Sequence, residues 1–497
     1  MTHWIIAPIV LPALTAALML LALRGSLALQ RLLSVAAILG LCAIAAALLM
    51  SVTVTGPQAY FLGDWPAPFG IVLMLDRLSA LMLALLAGLA LPVVIYAIGS
   101  GWDARGAHFH PLLQFLLMGI GGAFLTGDAF NLFVFFEVML IASYGLMVHG
   151  GGAGRTRAGL QYVAFNLVGS SLFLVALGLL YSVTGTLNLA DLAEKLPHLP
   201  DGDTALLRVA AVMLIMVFAI KAALVPLQFW LPGTYAAAPG VVAAIFAVMT
   251  KVGVYATLRF ATLVFPPALH ATDLLIAAFL LPAGLATLGL GAVGVLGAST
   301  LPRLAAFAGI ASTGTIIIAV AHLTPEGTTA ALYYTLHSTL ATALIFLLAD
   351  LIDRRRADLR LDHATPIANP GLMGALFLAA ALSLAGMPPL SGFVGKLLIL
   401  DAWQDHMLQV WAAVLVTSFL MILGFARAGS MLFWKPTAAA PPARSEPMAL
   451  LAPFALLAGL VALTVLAGPI HDWLRITADD LHYPKAYIDA THLATGD

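Results

Sequence analysis

Five ionisable residues stand in stretches that give them almost no polar company: Glu137, Lys221, Lys251, His337 and Lys396. Their surroundings are FNLFVFFEVMLIASY, AVMLIMVFAIKAALVPL, AAIFAVMTKVGVYATL, ALYYTLHSTLATALIF and MPPLSGFVGKLLIL. A lysine at mid-bilayer depth costs about 2.5–3.5 kcal/mol on insertion scales, so three of them need a reason. Burial favours the neutral amine, and a carboxylate brought close favours the ammonium form. A carboxylate that moves relative to a lysine can therefore switch it between holding and releasing a proton. Lysine suits that work, because arginine does not deprotonate in proteins. Histidine, with its ordinary pKa near neutrality, suits a relay. Two plainer readings stand beside this one. Glu137 could form a static ion pair that offsets the burial cost of one lysine, leaving the other unpaired. His337 could be a hydrogen-bonded packing residue.

The prolines sharpen the pattern. Pro226 falls five residues after Lys221, and Pro388-Pro389 precede Lys396 in the same apolar segment. Each removes a backbone donor and frees a carbonyl that, at membrane depth, needs protein or water as a partner. A helix break beside a buried lysine points to a polar path across the bilayer. Glu137 lies about seven residues from the outer end of its span, roughly 11 Å deep at the helical rise. Lys251 sits at a similar depth and Lys221 nearer the midplane, so the three can meet.

The elements that must hold these residues are membrane spans. Of 497 residues, 62% are hydrophobic and 9% charged, which leaves no room for a soluble domain. The net charge of −1 argues against a nucleic-acid surface, and the single cysteine, Cys42, excludes an intrachain disulfide. The first apolar run has no basic region before it and reads as an uncleaved span. No spaced metal ligands, nucleophile elbow or dinucleotide fingerprint occurs, so neither metal, cofactor nor enzymatic activity is expected. Glycine-rich runs such as GLGAVGVLGAS fit close helix packing.

Fourteen segments of spanning length begin near residues 5, 32, 72, 111, 130, 160, 206, 237, 272, 302, 328, 371, 407 and 447. Charge checks this division. Thirteen of the 22 Lys and Arg lie after odd-numbered spans or on their flanks, five on the other side and four within or at the start of spans. That alternation follows the positive-inside rule and puts both termini outside. Residues 184–205 form an acidic outer loop and 350–370 a basic inner one. The stretch 435–447 is a Pro/Ala-rich linker, and 469–497 a polar external tail. Asp76-Arg77, Asp128, Asp350 and Asp353 sit at span ends and read as interfacial anchors. So do Trp65, Trp102, Trp230, Trp403, Trp434 and Trp473.

The expected fold is an all-α polytopic membrane protein of fourteen transmembrane helices with two inverted five-helix repeats, each containing a broken helix. Residues 1–110 carry helices one to three, 111–260 the first repeat and 271–433 the second. Residues 447–497 carry helix fourteen and the tail. A five-helix unit used twice in series must invert, and the proline break falls in the fourth helix of each. Paired interrupted helices in inverted halves mark the ion path of secondary transporters.

The motifs now match a known family. The run KAALVPLQFWLPGTYAAAPGVVAA with Lys251-Val-Gly-Val-Tyr, together with GMPPLSGFVGK, PRLAAFAGIASTG and GDAFNLFVFFEVMLIASYGL, resembles the antiporter-like subunits shared by respiratory complex I and Mrp cation/proton antiporters. The resemblance covers essentially the whole chain. Ala-Ser after FEVMLI, where complex I subunits commonly have proline, looks like the D-type branch of Mrp antiporter subunits, in its PhaD-like Gram-negative form. The resemblance implies a proton-translocating subunit of a multisubunit Na⁺ or K⁺/proton antiporter of the bacterial inner membrane, serving ion transport and pH homeostasis with companion subunits. It assigns Glu137, Lys221, Lys251 and Lys396 to the proton path and His337 to its central relay. Two departures touch the route between halves. STLATA follows His337 where a further lysine is common, and Ala308-Gly309 replaces a serine pair. The alternatives are the equivalent pump subunit of complex I or a membrane-bound hydrogenase and, third, a stand-alone solute/proton transporter.

Overall fold

Long apolar runs punctuated by glycine, proline and side-chain caps fold into helix after helix. A computed structural model describes residues 2–200, 204–272, 275–356, 358–362, 364–435 and 446–492. Helices α1 (Ala7–Leu21) and α2 (Leu27–Thr55) lead into an antiparallel hairpin of β1 (Gln58–Phe61) and β2 (Val72–Leu75), with Gln58 opposite Leu75 and Phe61 opposite Val72. There follow α3 (Arg77–Gly99), α4 (Phe109–Leu125), α5 (Ala129–Val148), α6 (Ala153–Thr184) and the short α7 (Leu189–Lys195). Next come α8 (Thr204–Ala222), α9 (Trp230–Ala237), α10 (Gly240–Phe246) and α11 (Met249–Arg259). Then come α12 (Leu275–Gly297), α13 (Leu301–Val320), α14 (Pro325–Arg356), α15 (Pro370–Ala385), α16 (Ser391–Ala402) and α17 (Met407–Gly429). The chain ends in α18 (Pro447–Val465), α19 (Ala467–His482) and α20 (Lys485–His492).

The protein is a mostly helical polytopic membrane protein. Among the described residues, twelve helical stretches are long and apolar enough to cross a membrane, and α4 and α15 are shorter apolar helices. The helix pair α10–α11 is entirely enclosed by protein, whereas α2 and α18 bury about a third of their most apolar windows. Three of the five singled-out residues, Lys251, His337 and Lys221, therefore sit on or against the central layer of α8, α10–α11 and α14.

Three regions depart from expectation. The apolar run near residue 72 starts as strand β2, and its helix begins only at Arg77, where Asp76 accepts from the Ser79 amide at 2.9 Å and Ser79 Oγ accepts from the Asp76 amide. That reciprocal cap fixes the helix start more sharply than hydrophobicity can. The polar tail contains amphipathic α19, whose Leu474, Thr477, Ala478 and Leu481 pack inward while polar residues face out. Trp102, Trp230 and Trp403 are buried in protein rather than exposed at its surface, and the indoles of Trp230 and Trp403 donate to the Ile220 and Ile318 carbonyls. Trp65 and Trp434 are exposed. Linker residues 436–445, with Arg444, and tail residues 493–497 lie outside the described residues.

Candidate functional site: two broken helices and a buried histidine

At the first break, α8 stops at Ala222, one residue past Lys221. Ala223 takes a left-handed conformation with φ 56°, and the Leu224 amide reaches back to the Ala219 carbonyl at 2.9 Å. This is the wrap that commonly closes a helix end, although glycine usually occupies the left-handed position. The groups left over find side-chain partners. Trp230 Nε1 donates to the Ile220 carbonyl at 3.1 Å, and the Val225 amide donates to Thr287 Oγ1 of α12 at 2.9 Å.

Lys221 is buried, and its Nζ donates to Asn166 Oδ1 of α6 at 3.1 Å, with the Phe136 ring 5.8 Å away. Glu137 of α5 is half-buried and accepts from Ser170 Oγ, one helical turn beyond Asn166. Among the described residues no ion pair joins Glu137 to either lysine. Glu137 is nonetheless the charged group whose field reaches Lys221. The static-pair reading thus does not describe this arrangement.

Lys251 lies just past a second discontinuity. The apolar segment expected as one helix is pinched between α10 and α11, at Ala247-Val248, with no proline present. Tyr235 Oη donates to the Phe246 carbonyl at 3.0 Å and Thr250 Oγ1 to the Ala247 carbonyl at 3.3 Å, covering carbonyls that the pinch exposes. Among the described residues the one hydrogen-bond partner of Lys251 Nζ is Thr250 Oγ1, at 3.3 Å. A cavity of about 10 Å³ beside Lys251 reaches Thr335 of α14, two residues before His337.

His337 is fully buried, with Nδ1 3.0 Å from Ser391 Oγ at the start of α16. Lys251 and Lys396 are the charged groups whose fields reach its ring. A Cβ on Gly392 would meet that ring at 2.9 Å, so only glycine lets α16 approach so closely. The hydroxyls of Ser338, Thr342 and Ser383 nearby are buried with no partner among the described residues.

At the second break α15 ends at Ala385, Gly386 is left-handed with φ 77°, and the Met387 amide returns to the Leu382 carbonyl at 2.9 Å. Pro388 and Pro389 fill the gap before α16. Lys396 Nζ donates to the freed Ala385 carbonyl and to Ser418 Oγ, both at 2.8 Å. A cation at a helix C-terminus also answers the negative end of its dipole.

Ion pairs elsewhere brace the bundle. Arg259 binds both oxygens of buried Asp76 at 2.6 and 2.8 Å, so this span-end aspartate is a core partner rather than an interfacial anchor. At the opposite end Asp103 accepts from Arg31 and lies 3.1 Å from His110 Nε2. Burial pushes the Asp103 carboxyl up, but His110 and Arg31 outweigh it and hold it below the usual carboxylate range. Asp128 caps α5, accepting from the Asn131 amide, and burial pushes its carboxyl up to about 6. His322 meets Thr324 Oγ1 and the Trp403 ring.

Sequence reasoning missed Asn166, Ser170, Thr250, Tyr235 and Ser391. The spacing of Asn166 and Ser170, four apart and on one face in the middle of a membrane-spanning helix, is the one signal that could have found a pair, since buried polar groups require partners. No group of three or more His, Cys, Asp or Glu that could hold a metal occurs among the described residues.

The geometry can be set beside known proteins. The family model described as NADH:quinone oxidoreductase/Mrp antiporter, transmembrane, matches residues 126–424. The D-type subunit of a probable K⁺/H⁺ antiporter of Rhizobium meliloti (strain 1021) is 39% identical over 98% of this chain and 96% of its own length. The D-type subunit of a Na⁺/H⁺ antiporter of Bacillus subtilis (strain 168) is 37% identical over 99% of both chains. Among solved structures, a chain of the Mrp complex from Dietzia sp. DQ12-45-1b superposes with a TM-score of 0.87, at 29% identity over 99% of this chain and 100% of that one. These named relatives are transporter subunits rather than enzymes, and the chain belongs to the NADH:quinone oxidoreductase/Mrp antiporter family of membrane subunits.

Proposed function

We propose that this chain is the proton-translocating D-type subunit of a multisubunit Na⁺ or K⁺/proton antiporter in a bacterial inner membrane. One observation carries the reading: three buried lysines and a buried histidine are spread across the enclosed centre of the bundle, with no ion pair neutralising any of them among the described residues. Charges kept in such places at insertion cost are kept to be titrated. The names of the Rhizobium and Bacillus relatives, both D-type antiporter subunits, support the antiporter assignment.

In this reading the chain crosses the membrane fourteen times, with α4 and the α15–α16 pair completing the twelve longer spans, and both termini lie outside. The segments α4–α11 and α12–α17 form inverted repeats. Several features support that pairing. The fourth helix of each unit is broken through a left-handed residue, Ala223 or Gly386. The fifth of each runs into a π-type turn, Phe260–Val264 or Ser430–Trp434.

A proton on Lys221 is released when Glu137 moves away, leaving a neutral amine. It passes through water to Lys251, then across the cavity beside Thr335 to His337, and from there to Lys396. Each acceptor gains the proton its donor loses, so no co-reactant is required. The unpartnered hydroxyls of Ser338, Thr342 and Ser383 surround the one relay whose lysine neighbour is missing, and buried polar groups of this kind are where bridging water fits. About 2.3 kcal/mol per charge per 100 mV of membrane potential is available to drive cation export against this proton flow. No cation route is assigned to this chain; companion subunits supply it.

The test is cation-dependent pH change in antiporter-deficient everted vesicles carrying the whole operon, wild type against Lys221→Ala. The variant is expected to lose at least about tenfold of the rate. Unchanged proton movement in the variant sinks the role of Lys221. A wild-type complex with no response to Na⁺ or K⁺ turns the reading toward the redox-driven pump subunit, the other branch of the family.

A further inference from the structure

Glu137 and Lys221 are both held by α6, and by neutral groups. Asn166 is fixed at both ends of its amide: Nδ2 donates to the Tyr162 carbonyl at 2.9 Å, and Oδ1 accepts from Lys221 Nζ at 3.1 Å. A flip of the amide would break both contacts. Ser170 offers its single proton to Glu137, while its oxygen also lies 3.0 Å from the Asn166 carbonyl, an alternative acceptor within its own helix. The two charges are thus parked on α6 residues that lie one helical turn apart, about 5–6 Å between their side-chain origins.

The same turn of α6 is tied to the break. Tyr162 stacks on Trp230 with ring centroids 5.4 Å apart, and Trp230 caps the Ile220 carbonyl next to Lys221. Tyr162 Oη meets Ser143 Oγ of α5 at 2.9 Å, so α5, α6 and the broken end of α8 share one polar seam. The other titratable side chains around the pair are Tyr144 on α5, within the field of Glu137, and Lys251 on α11, the helix packed against α8.

We infer that Asn166 and Ser170 are positioning residues that hold Lys221 and Glu137 apart, and that transport requires each charge to exchange its α6 partner for the other charge. The inference rests on the proton-carrier reading of Lys221 given above. It makes α6, which contributes no charge to the path, the element that sets when the lysine lets go. Without the Asn166 acceptor or the Ser170 donor, carboxylate and ammonium close onto each other, and a carboxylate in contact keeps an ammonium protonated.

The complete complex in everted vesicles tests this through two variants and one control. Asn166→Leu and Ser170→Ala are each expected to slow cation-driven proton movement about tenfold and to shift its pH profile by about half a unit or more toward alkaline pH. Ser170→Thr, which keeps the hydroxyl, is expected to retain the wild-type rate and profile. Should Asn166→Leu fail to assemble, the Ser170 pair decides. A slower rate with an unmoved profile, or wild-type behaviour of Ser170→Ala, overturns the inference. Lys221→Ala separates the two levels: an active Lys221→Ala defeats the carrier reading, whereas an inactive one beside an unaffected Ser170→Ala defeats only the role of α6.

Discussion

The two broken helices solve the same backbone problem with opposite chemistry. In each, a helix ends within the bundle, passes through a left-handed residue and leaves carbonyls and amides to be satisfied. At the first break those groups go to neutral side chains, the indole of Trp230 and the hydroxyl of Thr287, and Lys221 is left free to take a separate partner on α6. At the second, the lysine itself is the cap, with Lys396 on the Ala385 carbonyl. A lysine that is not needed to hold its helix end can change partners cheaply. One that closes a helix end gives up a hydrogen bond and a dipole interaction whenever it turns away. The difference suits a mobile carrier near Glu137 and a fixed station beyond His337.

Lys396 is where that contrast breaks most visibly. Lys396→Leu removes both the proposed proton station and the cap, and is expected to lower cation-driven proton movement in everted vesicles at least about tenfold. Lys396→Arg keeps a permanent cation that can reach the carbonyl yet cannot release a proton, so the rate is expected to stay as low. Wild-type transport by the arginine variant would make Lys396 a structural cap only, and the second break would carry no proton chemistry.

How much of this the sequence held depends on the distance over which each feature is decided. The long spans, the breaks at Pro226 and Pro388-Pro389 and the isolated lysines are local properties, written in apolar length, a missing amide and a charge where none is tolerated. The partners are not local. Asn166 meets Lys221 across 55 positions and Arg259 meets Asp76 across 183, and nothing in a single chain of residues ranks one buried polar group over another as partner. The pinch before Lys251 lacks proline and glycine at its turn. It is held by Tyr235, from another helix, so helical periodicity runs straight through it. Hairpin β1–β2 was hidden for a different reason: its apolar β2 strand is continuous in composition with the helix that Asp76 begins. Amphipathic α19 was masked because its polar residues outweigh its buried face in any average along the tail.

Thr287 tests whether the first break depends on a neutral cap lent by α12. Thr287→Val keeps the shape and leaves the Val225 amide without an acceptor, an orphaned buried donor that costs about 1–3 kcal/mol. A lowered thermal midpoint of the purified complex, with the pH profile of transport unmoved, is the expected result. An unchanged midpoint would mean that the break does not need α12.

The left-handed residues should give effects of opposite sign, the smaller of them at Ala223. Gly386→Ala places a Cβ 2.5 Å from Lys396 Cδ at φ 77°, and is expected to destabilise the complex by about 1–3 kcal/mol. Ala223 already carries that penalty at φ 56°. Relief of a left-handed alanine is worth about 1–2 kcal/mol, and the extra freedom of glycine in the unfolded chain takes back about 0.5–1. Ala223→Gly should therefore raise stability by up to about 1.5 kcal/mol, read as a higher thermal midpoint of the purified complex. It should do so without changing transport, because the Trp230 and Thr287 caps still define the helix end. A lower midpoint would show that the alanine methyl packs where it helps. The two breaks would then differ in packing as well as in which residue closes them.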